Sequence, residues 1–70
     1  MGSITWFEVW WDYSSRPPQL LVLTGGQAPD KFEILEPGGA KVHQTRSYKE
    51  AMFWLTEDEY TLIEGRTSLD

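Results

Sequence analysis

A chain with one recognisable helical segment has to build its core by laying that helix on a sheet. The segment runs from Ser47 to Thr56 and reads Ser-Tyr-Lys-Glu-Ala-Met-Phe-Trp-Leu-Thr. Ser47 followed three residues later by Glu50 is a capping box, in which hydroxyl and carboxylate each satisfy an unpaired backbone N–H. Tyr48, Ala51, Met52 and Leu55 then fall at i, i+3, i+4 and i+7, so they share one side of the helix, with Trp54 at its margin. A helix this short gains little from propensity alone. Its stripe needs an apolar partner surface, and the first half of the chain reads as the sheet that supplies it.

Ile4 to Tyr13 is rich in β-branched and aromatic residues and ends at Ser14-Ser15-Arg16-Pro17-Pro18, which no strand continues through. Period two places Thr5, Phe7, Val9, Trp11 and Tyr13 on one face, expected to be the core face. Ile4, Trp6, Glu8, Trp10 and Asp12 fall on the other, expected to see solvent because it carries charge. Gln19 to Thr24 is a continuous apolar run and takes a central place in the sheet, and Gly25 to Asp30 reads as a loop. Lys31 to Glu36 alternates again as a third strand. Pro37-Gly38 suits the centre of a type II turn, with Gly38 taking the positive φ. Ala40 to Arg46 is then a short edge strand protected by Lys41, His43 and Arg46. Beyond the helix, Thr56 to Glu59 repeats the capping-box spacing, so a break is expected near Asp58. Tyr60 to Glu64 then reads either as a short second helix or as a strand, and 66–70 as a disordered tail.

The fold class expected is therefore α+β: one domain over residues 1–70, an antiparallel sheet of three to four strands with one helix packed across its Phe7–Val9–Trp11 face. Seventy residues bury a thin core, about 60% of the surface the unfolded chain exposes. With no cysteine there is neither a disulfide to reinforce it nor a thiolate metal site. Four tryptophans, three tyrosines and three phenylalanines supply apolar area instead, in a core or on a binding face.

Eleven acidic against six basic side chains give a formal charge of −5, which disfavours non-specific attraction to nucleic acid or anionic lipid. No apolar run reaches the roughly 18 residues of a membrane span, so a soluble, cytoplasmic protein with no membrane partner is expected. Catalysis finds little support. The single histidine, His43, lies on the edge strand with no cysteine to activate, and a solvated structural role fits it better than a triad. Glu57, Asp58 and Glu59 lack the spacing of a calcium loop, and Gly25-Gly26 and Gly38-Gly39 lack the context of a phosphate loop. No enzyme activity, cofactor or metal is expected.

Two groups of residues stand out as sites. Trp6 and Trp10 flank Glu8 on the face expected to be solvated, and Phe53 lies nearly opposite Tyr48 and Leu55 on the helix. Together they make a candidate partner-binding set, for another protein or a second copy of this chain, unless the tryptophans are covered as a second small core. Lys41, Arg46 and Lys49, with His43, form a basic edge running into the first helical turn, a possible anion contact.

Strands followed by a helix that opens Ser-x-x-Glu-Ala, over Phe32 to Leu55, resemble in outline AP2-type DNA-binding domains and similar three-strand-plus-helix modules. That resemblance implies DNA readout by the exposed sheet face, which here carries Glu8, Asp12 and Glu33 beside Trp6 and Trp10. Tyr48 to Arg66, with Trp54-Leu55, Glu57-Asp58-Glu59-Tyr60 and Glu64-Gly65-Arg66, also looks like short uncharacterised cyanobacterial proteins, a likeness that implies no activity. The function expected is a non-enzymatic, acidic protein-interaction or regulatory module. The alternatives are a nucleic-acid-binding module using Trp6, Trp10 and the Lys41–Lys49 edge, or an acidic inhibitor occupying a nucleic-acid site.

Overall fold

A computed structural model of the chain describes residues 4–63 and 65–69. In chain order the elements are β1 (Ile4–Asp12), β2 (Gln19–Gly26), β3 (Phe32–Leu35), β4 (Lys41–Thr45), α1 (Tyr48–Glu57), β5 (Thr61–Leu62) and β6 (Thr67–Ser68). The fold is α+β. Among the described residues six antiparallel strands run β4-β3-β2-β1-β5 across the sheet, with β6 also paired to β1, and one helix packs against it. β5 takes Trp10 and Trp11, while β6 takes Trp6 and Phe7, so the two short strands share one edge of β1. The opposite edge is β4.

Register decides which face of β1 is covered. Trp6 stands opposite Gly25, Glu8 opposite Leu23 and Trp10 opposite Leu21, and Leu23 in turn pairs with Ile34. These residues therefore share a face, and it is the face under α1. The core is Trp10, Leu21, Leu23, Ile34, Ala51 and Leu55, with Trp6, Phe32, Tyr48, Trp54 and Tyr60 packed around it. The expected assignment of the two faces is thus reversed. Phe7, Val9 and Trp11 lie on the far side, half-buried, with Val22 and Leu35 beside them. Charge at Glu8 is what pointed the wrong way: both faces carry aromatic residues, and Glu8 is buried with its partners.

The serine half of the cap at the start of α1 forms as the sequence predicts, while the Glu50 carboxylate reaches one residue further back than the N-cap. Ser47 Oγ accepts from the Glu50 N–H at 3.1 Å, and Glu50 Oε2 accepts from the Arg46 N–H at 3.4 Å. Ala51 and Leu55 are fully buried and Tyr48 half-buried, whereas Met52 turns outward and Trp54 takes its place beside the sheet. The helix ends at the expected position with Asp58 as cap and Glu59 at φ 63°. The Tyr60 N–H then donates to Leu55 O at 2.9 Å and the Glu59 N–H to Thr56 O at 3.1 Å, the paired bonds of a Schellman motif. Thr56 is inside the helix, not a second N-cap, and its hydroxyl donates back to Met52 O and Phe53 O.

Three local expectations change. β2 continues through Gly25 and Gly26, so the loop starts later. In the β3–β4 turn the positive φ falls on Gly39, at 101°, and not on Gly38; the Gly39 N–H donates to Glu36 O and the Glu36 N–H to Ala40 O, a bulged hairpin whose twist suits the flanking strands better than a type II turn. After α1 the chain takes the strand alternative, at Thr61–Leu62, and residues 66–69 are no free tail, because Thr67 and Ser68 pair with β1 and the Leu69 N–H donates to Thr5 O at 2.8 Å. Glu64 and Asp70, the ends of the expected second helix and tail, lie outside the described residues. No helix among the described residues is long and apolar enough to cross a membrane.

Candidate functional site

Two constellations of side chains stand out, one under the helix and one beside it. Under the helix, Glu8 is only 4% exposed, yet its carboxylate is fully engaged. Tyr48 Oη donates to Oε1 and Oε2 at 3.0 and 2.8 Å, and Trp10 Nε1 donates to Oε1 at 3.2 Å. Arg66 Nε donates to Oε2 at 3.4 Å, forming an ion pair whose arginine is half-exposed. The guanidinium carbon lies 3.7 Å from the Trp6 ring centroid and 5.1 Å from that of Tyr48. Trp6, Phe32 and Tyr48 pack on one another with ring centroids 6.0 to 6.3 Å apart. Burial, reinforced by Glu8, pushes the Tyr48 phenol above its usual pKa. Among the described residues no buried side-chain nitrogen or oxygen lacks a hydrogen-bond partner.

This arrangement is a polar knot tying β1, the start of α1 and the C-terminal segment together. It also corrects the expected contact patch. Trp10, at 4% exposure, and Glu8 belong to the interior, and Trp6 is half-buried beneath Arg66. None of the three presents an open aromatic face to a partner. Both tryptophans are covered, but as part of the main core and not as a second small one: Trp10 lies in the core with Ala51 and Leu55 of α1, and Trp6 lies against Tyr48 of α1 with Arg66 of the C-terminal segment over its ring.

Beside the helix, β4 and α1 leave an open groove of about 700 Å³. The chain reverses at Arg46-Ser47, so α1 runs back along β4 and brings late helical residues over early strand residues. His43 accordingly stacks on Trp54, with centroids 4.9 Å apart and planes 13° from parallel. Thr45 lies further along the same wall; its hydroxyl donates to Ser47 O at 2.9 Å and fixes the reversal. Phe53, on the other wall, is 64% exposed, as its position on the helix predicts. Trp54 also borders a second recess of about 470 Å³ with Val42, Pro37 and Tyr60, so one indole separates two concavities.

The charges of the first groove differ between its ends. Lys49 and Glu50 stand side by side in the first helical turn and offset each other, while Glu57 and Asp58 stand at the C-terminus, where no basic side chain offsets the macrodipole. The expected basic edge does not converge: Lys41, at the far end of β4 from Lys49, donates to Gln44 Oε1 and pairs with Glu33 Oε2, both at 3.0 Å. Arg46 is exposed at the chain reversal. Among the described residues no group of three or more His, Asp or Glu side chains is placed to ligate a metal ion.

Of the residues singled out by sequence, Phe53, Lys49 and His43 meet in one place, and Trp6, Glu8 and Trp10 meet in another. Trp54 and Thr45 complete the groove and were not predicted as site residues. Their only sequence signal is that a short turn at Arg46-Ser47 must fold the helix back along the edge strand. Compared with protein-family models, curated proteins and solved structures, the chain matches none.

Proposed function

We propose that the protein is a non-enzymatic protein-interaction or regulatory module of the cytoplasm, and that it engages its partner through the groove between β4 and α1. The observation that carries this reading is Phe53: a phenylalanine 64% exposed, on the rim of an open groove next to the Trp54–His43 stack. A large apolar side chain held in water beside a concave surface is what interface centres are made of, and aromatic anchors dominate their energetics. The two hydroxyls in the groove are held by the backbone, Thr45 donating to Ser47 O and Ser47 Oγ accepting from the Glu50 N–H, an arrangement suited to contact rather than to covalent chemistry.

Capture from source-cell lysate at low and high salt, comparing the wild type with Phe53→Ala, tests the reading. Phe53 is exposed, so the variant folds, and a protein partner retained at high salt by the wild type and lost by the variant is the expected outcome. Capture unaffected by Phe53→Ala overturns the groove as the contact. Recovery of nuclease-sensitive, salt-labile nucleic acid overturns the protein-interaction reading itself.

A further inference from the structure

The wall of the groove opposite the helix is the edge of a sheet, and this determines what shape of partner fits. Resting on the interaction reading above, we infer that the groove takes an extended peptide, which adds to β4 as a seventh strand and places alternate side chains against Phe53, Trp54 and His43. Among the described residues β4 pairs on one side only, with β3. Its register identifies the backbone groups that face outward. The Glu36 N–H bonds to Ala40 O, and alternation back along β3 makes Ile34–His43 and Phe32–Thr45 the hydrogen-bonded pairs and Glu33–Gln44 the non-bonded one. The N–H and C=O of Gln44 therefore point away from the sheet, towards the space an added strand would fill.

Side-chain alternation agrees with this. His43 and Thr45 point to the helix side, so an adjacent strand in the same pleat also directs every second side chain into the groove, against Phe53. An edge strand and a helix lining one cleft is the geometry in which main-chain hydrogen bonds supply affinity and a side-chain pocket supplies specificity.

Charge and pairing direction together narrow the peptide's chemistry. β4 runs towards the end where Lys49 and Glu50 line the groove side by side and offset each other, and the opposite end carries Glu57 and Asp58. A strand added antiparallel, as the strands of this sheet pair with one another, starts at the Lys49–Glu50 end and finishes at the acidic end. The fitting sequence thus has uncharged residues first, one large apolar residue in the middle and basic residues last. The excess of acid over base in the whole chain favours the basic part.

Two synthetic peptides of about eight residues test this. One has alternating valine and threonine around a central tryptophan, then lysines; the other is the same sequence written backwards. The first is expected to bind about fivefold or more tighter than the second and to protect the Gln44 amide from hydrogen exchange, an observation that needs no variant. Gln44→Pro removes the outward N–H without touching the β3 ladder, a substitution edge strands accept, and it is expected to weaken binding at least about tenfold. Equal affinity for both peptides, binding of neither, or binding without Gln44 protection overturns the inference. A lysate partner that needs Phe53 but tolerates Gln44→Pro overturns strand addition while leaving the interaction module standing.

Discussion

Tyr48, the first residue of the helix, donates its hydroxyl to both carboxylate oxygens of Glu8, a residue 40 positions earlier and buried on the central part of the sheet. The bond links two regions with no sequence signal in common, and it explains why the helix lies on the face that carries a charge. Burying a carboxylate costs several kcal/mol unless hydrogen bonds replace its water. Here Tyr48, Trp10 and Arg66 replace it. The charged residue consequently fixes which face of β1 the helix covers.

Removing that carboxylate leaves the Trp10 N–H and the Tyr48 hydroxyl without their acceptor and Arg66 without its counter-ion. Glu8→Ala is expected to destabilise by about 3–5 kcal/mol and Glu8→Gln, which keeps an acceptor oxygen, by about 1–3 kcal/mol. A domain of this size has roughly 4–10 kcal/mol to lose. Urea unfolding followed by tryptophan fluorescence measures both, and a neutral Glu8→Ala would show that the knot does not hold the helix in place.

Gly25 is where the Trp6 indole rests on the sheet. A Cβ at this position would stand 2.2 Å from Trp6 Cζ2 and 2.4 Å from Cε2. The ring has no room to yield, because Arg66 covers it and Phe32 and Tyr48 flank it. Gly25→Ala is therefore expected to cost about 1–3 kcal/mol by overpacking and to displace Trp6. The matching substitution at Gly38, where a Cβ meets nothing within 4 Å, is expected to be close to neutral. Comparable losses at the two glycines would remove the steric explanation.

Alkaline pH should loosen the same region. Tyr48 and Tyr60 both have pKa values raised above 10.0, chiefly by burial, with Glu8 adding to the first and Asp12 and Asp58 to the second. The folded state therefore holds these protons more tightly than the unfolded chain. Their contribution to stability is complete below the unfolded value and is lost as pH rises through the folded ones. Chemical denaturation from pH 9 to 12 is expected to show stability falling above about pH 10, with a shallower fall in Tyr48→Phe. An unchanged slope in that variant would exclude Tyr48 as a source.

The sequence made the helix and the edge legible because their signals are local. Ser47 and Glu50 are three residues apart, and Lys41, His43 and Arg46 lie within six consecutive residues. Phe53 was legible as exposed for the same reason, since helical phase alone turns it from Leu55. The covered face of β1 was not legible. Period two separates Trp6, Glu8 and Trp10 from Phe7, Val9 and Trp11, but both sets are apolar enough to form a core. The deciding partners, Tyr48 and Arg66, come from the helix and the far end of the chain. The Trp54–His43 stack is likewise a product of the chain reversal and of nothing in the spacing of the two residues.

The helix C-terminus offers the opposite kind of test, a gain of stability from a local rule the chain does not follow. Schellman motifs place a left-handed residue just past the cap, and glycine usually fills the position because a Cβ there meets the neighbouring carbonyl. Glu59 occupies it with φ 63°, exposed and with its backbone N–H already bonded to Thr56 O. It also adds a third acidic group beside Glu57 and Asp58, at the end of the helix that carries partial negative charge. Glycine relieves both penalties, about 1 kcal/mol for the backbone and a few tenths for the charge, against some loss from the greater freedom of the unfolded chain. Glu59→Gly is expected to raise stability by roughly 0.5–1 kcal/mol, read as a higher urea midpoint with an unchanged slope. Glu59→Gln separates the two causes: it removes only the charge, so it should recover the smaller part, and a gain equal to that of glycine would assign the whole effect to electrostatics.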